Sequence, residues 1–475
     1  MKKNLFLMLS FVLLAFTACN SNDDNNSDEQ TLSVAFAEPS YNLTSDLTPI
    51  QIKFSAPTPT AGSLTLTYTT TAAVYTTDFT TVPAVVENKI TVPFVQSATS
   101  VEFTFNRIKK AIGTEVKNVI FTITGSSINA NVVGNKTMQL NFNETASLGT
   151  ALAPEFGGPT EANQVYIDLS SGAMTKVARV SWDLGFYSGK DFRVVLNNTV
   201  KMSVKKLTTV NIDEVQVADE TMIIAQGSGS PDQVDGPDGN ILKTAIAEVS
   251  ATDGENKVYL INMGSNPGTT VPELGSEGIG SGASRGWKKV RILRSGNDYK
   301  VQYADIASTT HQEVIISKNA AYNFTFFSLL DKKTVNVEPQ KNQWDINITT
   351  FVNVIPGGPS GLAPYHYPDY VVNNLRGDAK AYQVLVSGAL TYDSFTLANV
   401  ESAKFTEDQR NIGSNWRGTS IMGPNGLPVP QFVLRTDRFY VVKDPAGNVY
   451  KLKFTAGMNE KGERGYPKFQ YALLK

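Results

Sequence analysis

Cysteine and histidine are nearly absent from this chain of 475 residues. It has one Cys and two His, so no disulfide can form within it and no Cys/His zinc cluster can be assembled. Charge is also lacking: Lys and Arg balance Asp and Glu to a net −2, which gives no electrostatic basis for holding nucleic acid. No long stretch has helical apolar spacing, and no nucleophile elbow, phosphate loop or dinucleotide fingerprint occurs. Carboxylate pairs such as Asp213-Glu214 and Glu407-Asp408 sit in charged stretches and read as solvated loops. These absences argue against an enzyme. What remains is rich in Thr, Val, Asn and Gly, with apolar residues at 41%, and this predicts an all-β protein.

The sequence organises itself around a stretch that occurs twice. Trp182-Asp183-Leu184-Gly185-Phe186 and Trp344-Asp345-Ile346-Asn347-Ile348 alternate as half-buried strands do. Ile261-Asn262-Met263-Gly264 follows the first at nearly the spacing at which Ile421-Met422-Gly423-Pro424 follows the second. Each copy closes with a hairpin pattern: Val290–Leu293 and Tyr299–Tyr303 around Gly296-Asn297, then Phe439–Val442 and Tyr450–Phe454 around Gly447-Asn448. Two similar modules in tandem are therefore expected.

Upstream, residues 1–18 read as a signal peptide: Lys2-Lys3, the apolar run Leu5–Phe16, then Thr17-Ala18 before Cys19. The sole cysteine at such a junction resembles the lipid-acceptor cysteine of a bacterial lipoprotein. Residues 19–30 form an acidic tether that can bury nothing. Its Asp23-Asp24 and Asp28-Glu29 resemble the signal that sends some Gram-negative lipoproteins to the cell surface. Residues 31–148 carry six alternating runs, from Leu32–Phe36 to Met138–Phe142, and predict a β-sandwich spacer that distantly resembles a Calx-β domain without its calcium-binding acidic clusters. A Pro- and Gly-rich linker at 151–161 then separates this domain from modules expected at 160–318 and 319–475, each folding independently. Gly227–Gly239 and Gly264–Gly286 read as long surface loops close to function.

The aromatic strand Tyr322–Phe326 before Trp344-Asp345, the later Trp416, the loop Met422–Gly426 and the closing hairpin through Phe454 resemble the HmuY-type haem-binding lipoproteins. The resemblance implies an outer-membrane, lipid-anchored protein that takes haem from host haemoproteins for iron acquisition and passes it to a TonB-dependent receptor. It also implies two axial ligands on loops at one end of a sheet. Met422 and Met263 stand at the family's ligand position, and thioether sulfur is a soft axial ligand for haem iron. The remaining candidates are His366, within Tyr365-His366-Tyr367, and Met222; Met202 is also near, and His311 reads as a surface residue. The alternative expectation is an adhesion or assembly protein whose duplicated modules bind a protein or glycan.

Overall fold

The computed structural model describes residues 32–474 apart from 44, 113–114, 143–144, 147–148, 226, 274–281 and 359–360. Cys19, the leader, the acidic tether and part of the Gly264–Gly286 stretch lie outside the described residues. Among the described residues the chain is all-β, with short 3-10 turns between strands.

The first unit is a sandwich of two five-stranded sheets, and five of the six runs read from the sequence lie within its strands, the sixth running one residue, Phe142, past the end of Thr137–Asn141. Strands such as Asn118–Ser126 and Lys89–Phe94 alternate buried and open positions, so their apolar side chains fall on one face. Ile50, Leu66, Phe103, Phe105 and Phe121 fill the space between the sheets.

Beyond residue 150 the strand pairing departs from two self-contained modules. Asn163–Asp168 and Ala173–Ala178 form the opening hairpin of the first repeat, yet Asn163–Asp168 pairs with Ile346–Pro356 of the second. Reciprocally, Phe324–Ser328, from the second repeat's opening hairpin with Lys333–Val335, pairs with Leu184–Tyr187 of the first. Each repeat thus lends its first hairpin to the other.

The Trp-Asp dipeptides explain the exchange. The Asp183 carboxylate accepts from Leu329 N at 2.6 Å and Asp345 accepts from Leu169 N at 2.7 Å, so each aspartate holds the turn of the borrowed hairpin. Asn197 and Asn374 complete the motif. Their amides donate to the Trp182 and Trp344 carbonyls, and their Oδ1 atoms cap 3-10 turns at Thr199 N and Gly377 N.

Because of this the Trp-Asp strands are not half-buried as their alternation suggests. Leu184, Gly185 and Phe186 are all buried, and so is every position from Ile346 to Val352. Layers cover both faces. One core gathers around Phe186, Ile261 and Tyr299, and another around Ile348, Trp416 and Phe454. A third cluster, Tyr166, Trp182, Phe326, Val337 and Trp344, draws on both repeats.

A consequence can be measured. The fragment 160–318 lacks the strand that pairs with Leu184–Tyr187, leaving an open edge and exposed aromatic side chains. It is expected to show no cooperative urea transition, whereas a sharp transition from that fragment would restore the picture of independent modules.

Candidate functional site

The methionines singled out by the repeat go to different places. Met263 directly follows the strand Tyr259–Asn262, an interior strand of a five-stranded sheet. It is 0% exposed among Val200, Ile261 and Val290. The next residue, Gly264, has φ +74° and no room for a Cβ, which would lie 1.8 Å from the Val200 carbonyl oxygen. Met222 and Met202 are buried as completely. The spacing match does not carry over to a structural match, because Met422 lies on a separate two-stranded finger, Arg417–Met422 paired with Pro428–Leu434.

The finger is anchored at its root and open at its tip. Trp416 stacks on Phe454 at 4.3 Å and donates from Nε1 to the Asp369 carbonyl at 2.9 Å, while Phe432 packs against Trp416 edge-on. Arg417 lies 3.3 Å from the buried Asp369 carboxylate, which also pairs with Arg464. Burial pushes the Asp369 carboxyl up, but the two guanidiniums outweigh it and hold it below the usual range. Beyond the root Ile421, Leu427 and Val429 are exposed, and Met422 is 71% exposed. Pro428 and Pro430 remove backbone donors from one strand, which limits further pairing along it. The turn closes through Gly423 N to the Leu427 carbonyl at 2.8 Å, with Gly426 at φ +75°.

His366 lies on the strand Leu362–Asn373 opposite Val352 and is buried. Its Nε2 lies 3.2 Å from the Thr199 carbonyl oxygen, to which it must donate. Thr350 Oγ1 donates to the same oxygen at 2.7 Å, so the histidine belongs to the seam between the repeats. Of its aromatic neighbours in sequence, Tyr367 and Tyr370 pack with each other, and Tyr370 stacks on Phe351 at 4.6 Å. His311 faces the Asp213 carboxylate at 3.0 Å. The four nominated haem ligands are therefore not brought together: Met222, Met263 and His366 are interior and Met422 is outside.

The sequence reading missed a cleft at the seam. It has a volume of about 160 Å³ and is lined by residues of both repeats, among them Trp182, Trp344, Gln164, Asn347 and Glu338. The Gly227–Gly239 stretch reaches its rim at Asp235, Gly236 and Gly239. Burial pushes the Glu338 carboxyl up to about 8, although it accepts from Phe324 N at 2.9 Å. Asp235 is pushed up to about 6 for the same reason. The available sequence signal was a polar residue within an apolar strand, Asn347 between Ile346 and Ile348.

Glu338 makes stability depend on pH in a definite direction. Its folded value lies above the unfolded 4.5, so the folded state holds a proton that the unfolded state releases. That contribution is complete below about pH 4.5 and is lost as pH rises toward 8, at about 1.4 kcal/mol per unit. Glu338→Gln should flatten the fall in urea midpoint between pH 5 and 8; an unchanged slope would show that the carboxyl is not held neutral.

Among the described residues no group of three or more His, Cys, Asp or Glu is placed to hold a metal ion. No described helix is long and apolar enough to cross a membrane.

Comparison with known proteins gives the following. No curated protein matches it. Among solved structures, the apo Calx CBD1 domain is similar at 13% identity and TM-score 0.20, over 23% of this chain and 95% of that one. CBD12 of CALX1.2 is similar at 13% identity and TM-score 0.20, over 30% of this chain and 68% of that one. The family described as HmuY protein matches residues 160–471 in one continuous span that includes both repeats and their exchanged hairpins. The chain belongs to the HmuY family.

Proposed function

We propose that the chain is a cell-surface lipoprotein that binds haem, with Met422 as an axial ligand on the apolar finger. Cys19 carries the lipid anchor in the outer membrane. Haem comes from host haemoproteins and goes to a TonB-dependent receptor, in the service of iron acquisition. The observation that carries the site is exposure: of the four nominated side chains only the Met422 thioether is open to solvent. Pro428, paired with Met422 across the finger, lies on the same face and gives apolar surface beside the thioether for a porphyrin to pack against. Family membership supports the ligand class.

The reading as an adhesion or assembly protein has its own support, because a protruding apolar hairpin also suits a protein partner. Titration of the chain with haemin separates the two. The haem reading expects a Soret shift that saturates at one equivalent. Absorbance that grows in proportion to added haemin, with no shift, would leave the finger to a protein partner.

A further inference from the structure

The finger that carries Met422 has two unlike faces. Arg417–Met422 pairs with Pro428–Leu434 so that Gly418 stands opposite Val433, Ser420 opposite Pro430 and Met422 opposite Pro428. Side chains alternate across a strand, which puts these positions on one side. The other side begins with Arg417 and Phe432, and both are held against the body of the protein, by Asp369 and Trp416. The Met422 side is therefore the outer one.

A cation stands on that outer side. Arg435 follows the finger, and its main-chain N donates to the Trp416 carbonyl at 2.9 Å, which fixes it at the root. Its guanidinium turns back over Gly418: a Cβ at that glycine would lie 3.3 Å from Nη2 and 3.5 Å from Nε. The neighbouring arginines are engaged, Arg438 with Asp437 at 2.8 Å and Arg417 and Arg464 with Asp369. Arg435 is exposed and has no ion-pair partner among the described residues.

The position of that charge relative to Met422 decides what it can meet. Gly418 and Met422 are separated by about 13 Å of strand. A tetrapyrrole with its iron on the Met422 sulfur lies along the finger over Pro428 and Pro430, and its propionate edge comes to the guanidinium. Both side chains are long and open to solvent, so each can incline toward the ring. The planar fork of a guanidinium matches a carboxylate through two parallel hydrogen bonds.

We propose that Arg435 positions the porphyrin on the finger by pairing with a propionate carboxylate, and so selects tetrapyrroles that carry free carboxylates. The proposal rests on the haem reading and adds to it a polar contact that fixes how the ring is turned about the Met422 sulfur.

The test compares haemin with its dimethyl ester, in which both carboxylates are masked. The parent chain should bind haemin about fivefold more tightly than the ester, the scale of one solvent-exposed ion pair, and the gap should narrow as salt is raised. Arg435→Gln should bind haemin as weakly as the parent binds the ester, with the ester affinity, the urea midpoint and the spectroscopic signature of thioether ligation unchanged. Arg435→Lys, which keeps the charge without the fork, should recover part of the loss. A parent that takes up neither porphyrin removes the haem reading and this proposal with it. A parent that binds both porphyrins equally, or an Arg435→Gln chain that still prefers haemin, overturns the propionate contact alone. Equal losses of haemin and ester in that variant do so too, because they would show that Arg435 supports the finger and not the carboxylate.

Discussion

Replacing Asp183 by alanine is expected to lower the unfolding free energy by about 3–5 kcal/mol, the range for removing one partner of a buried ion pair. Asp183 is fully buried, accepts from Leu329 N and pairs with Arg285 Nη2 at 2.7 Å. Arg285 is itself buried and would be left with a charge and backbone carbonyls alone. The matching substitution should cost less, although the two aspartates occupy the same place in the repeat. Asp345 lies beside Asp168 and Asp444, and burial together with those neighbours pushes its carboxyl well up, an effect that the bond from Leu169 N and the charge of Lys110 only partly offset. A carboxyl carried neutral loses mainly its bond from Leu169 N, about 1–3 kcal/mol. Urea unfolding of both variants measures the difference. Equal losses, or a larger loss for Asp345→Ala, would contradict this account of how the exchanged hairpins are held. The loss in Asp183→Ala should also appear as one transition beyond residue 160, because the hairpin that Asp183 holds belongs to the other repeat's sequence.

The strands were legible because alternation is a local property. Ile50–Phe54, Val119–Ile123 and the closing hairpins at Val290–Tyr303 and Phe439–Phe454 all lie within observed strands. The exchange was not legible. The opening hairpins at Asn163–Ala178 and Phe324–Val335 have similar apolar patterns, and a pattern of that kind says which face is buried but not which strand will be the neighbour. The same limit explains the methionines. Met263 and Met422 both precede glycine at similar spacing from a tryptophan, but Tyr259–Asn262 is taken into the interior of a sheet while Arg417–Met422 leaves the body as a finger. Spacing along the chain does not record that difference. His366 stood among the ligand candidates, yet the ring points its Nε2 to a backbone carbonyl across the seam. The cleft was hidden for a related reason: Gln164 and Asn347 meet only after the hairpins have changed partners.

The two methionines now separate cleanly into opposite kinds of mutant. Met263→Ala removes a fully buried side chain from a packed core and should cost about 2–5 kcal/mol, while the haem complex that forms keeps the parent spectrum. Met422→Ala removes an exposed side chain and should leave the urea midpoint within about 0.5 kcal/mol of the parent. It should abolish the saturable Soret shift and the spectroscopic signature of thioether ligation. Near-infrared magnetic circular dichroism of the haemin complex, recorded for the parent and both variants, is the most direct measurement, because its charge-transfer band reports the axial ligand itself. The account predicts a methionine band in the parent and in Met263→Ala, and none in Met422→Ala. A methionine band that persists in Met422→Ala, or a parent complex with no methionine band, would contradict it.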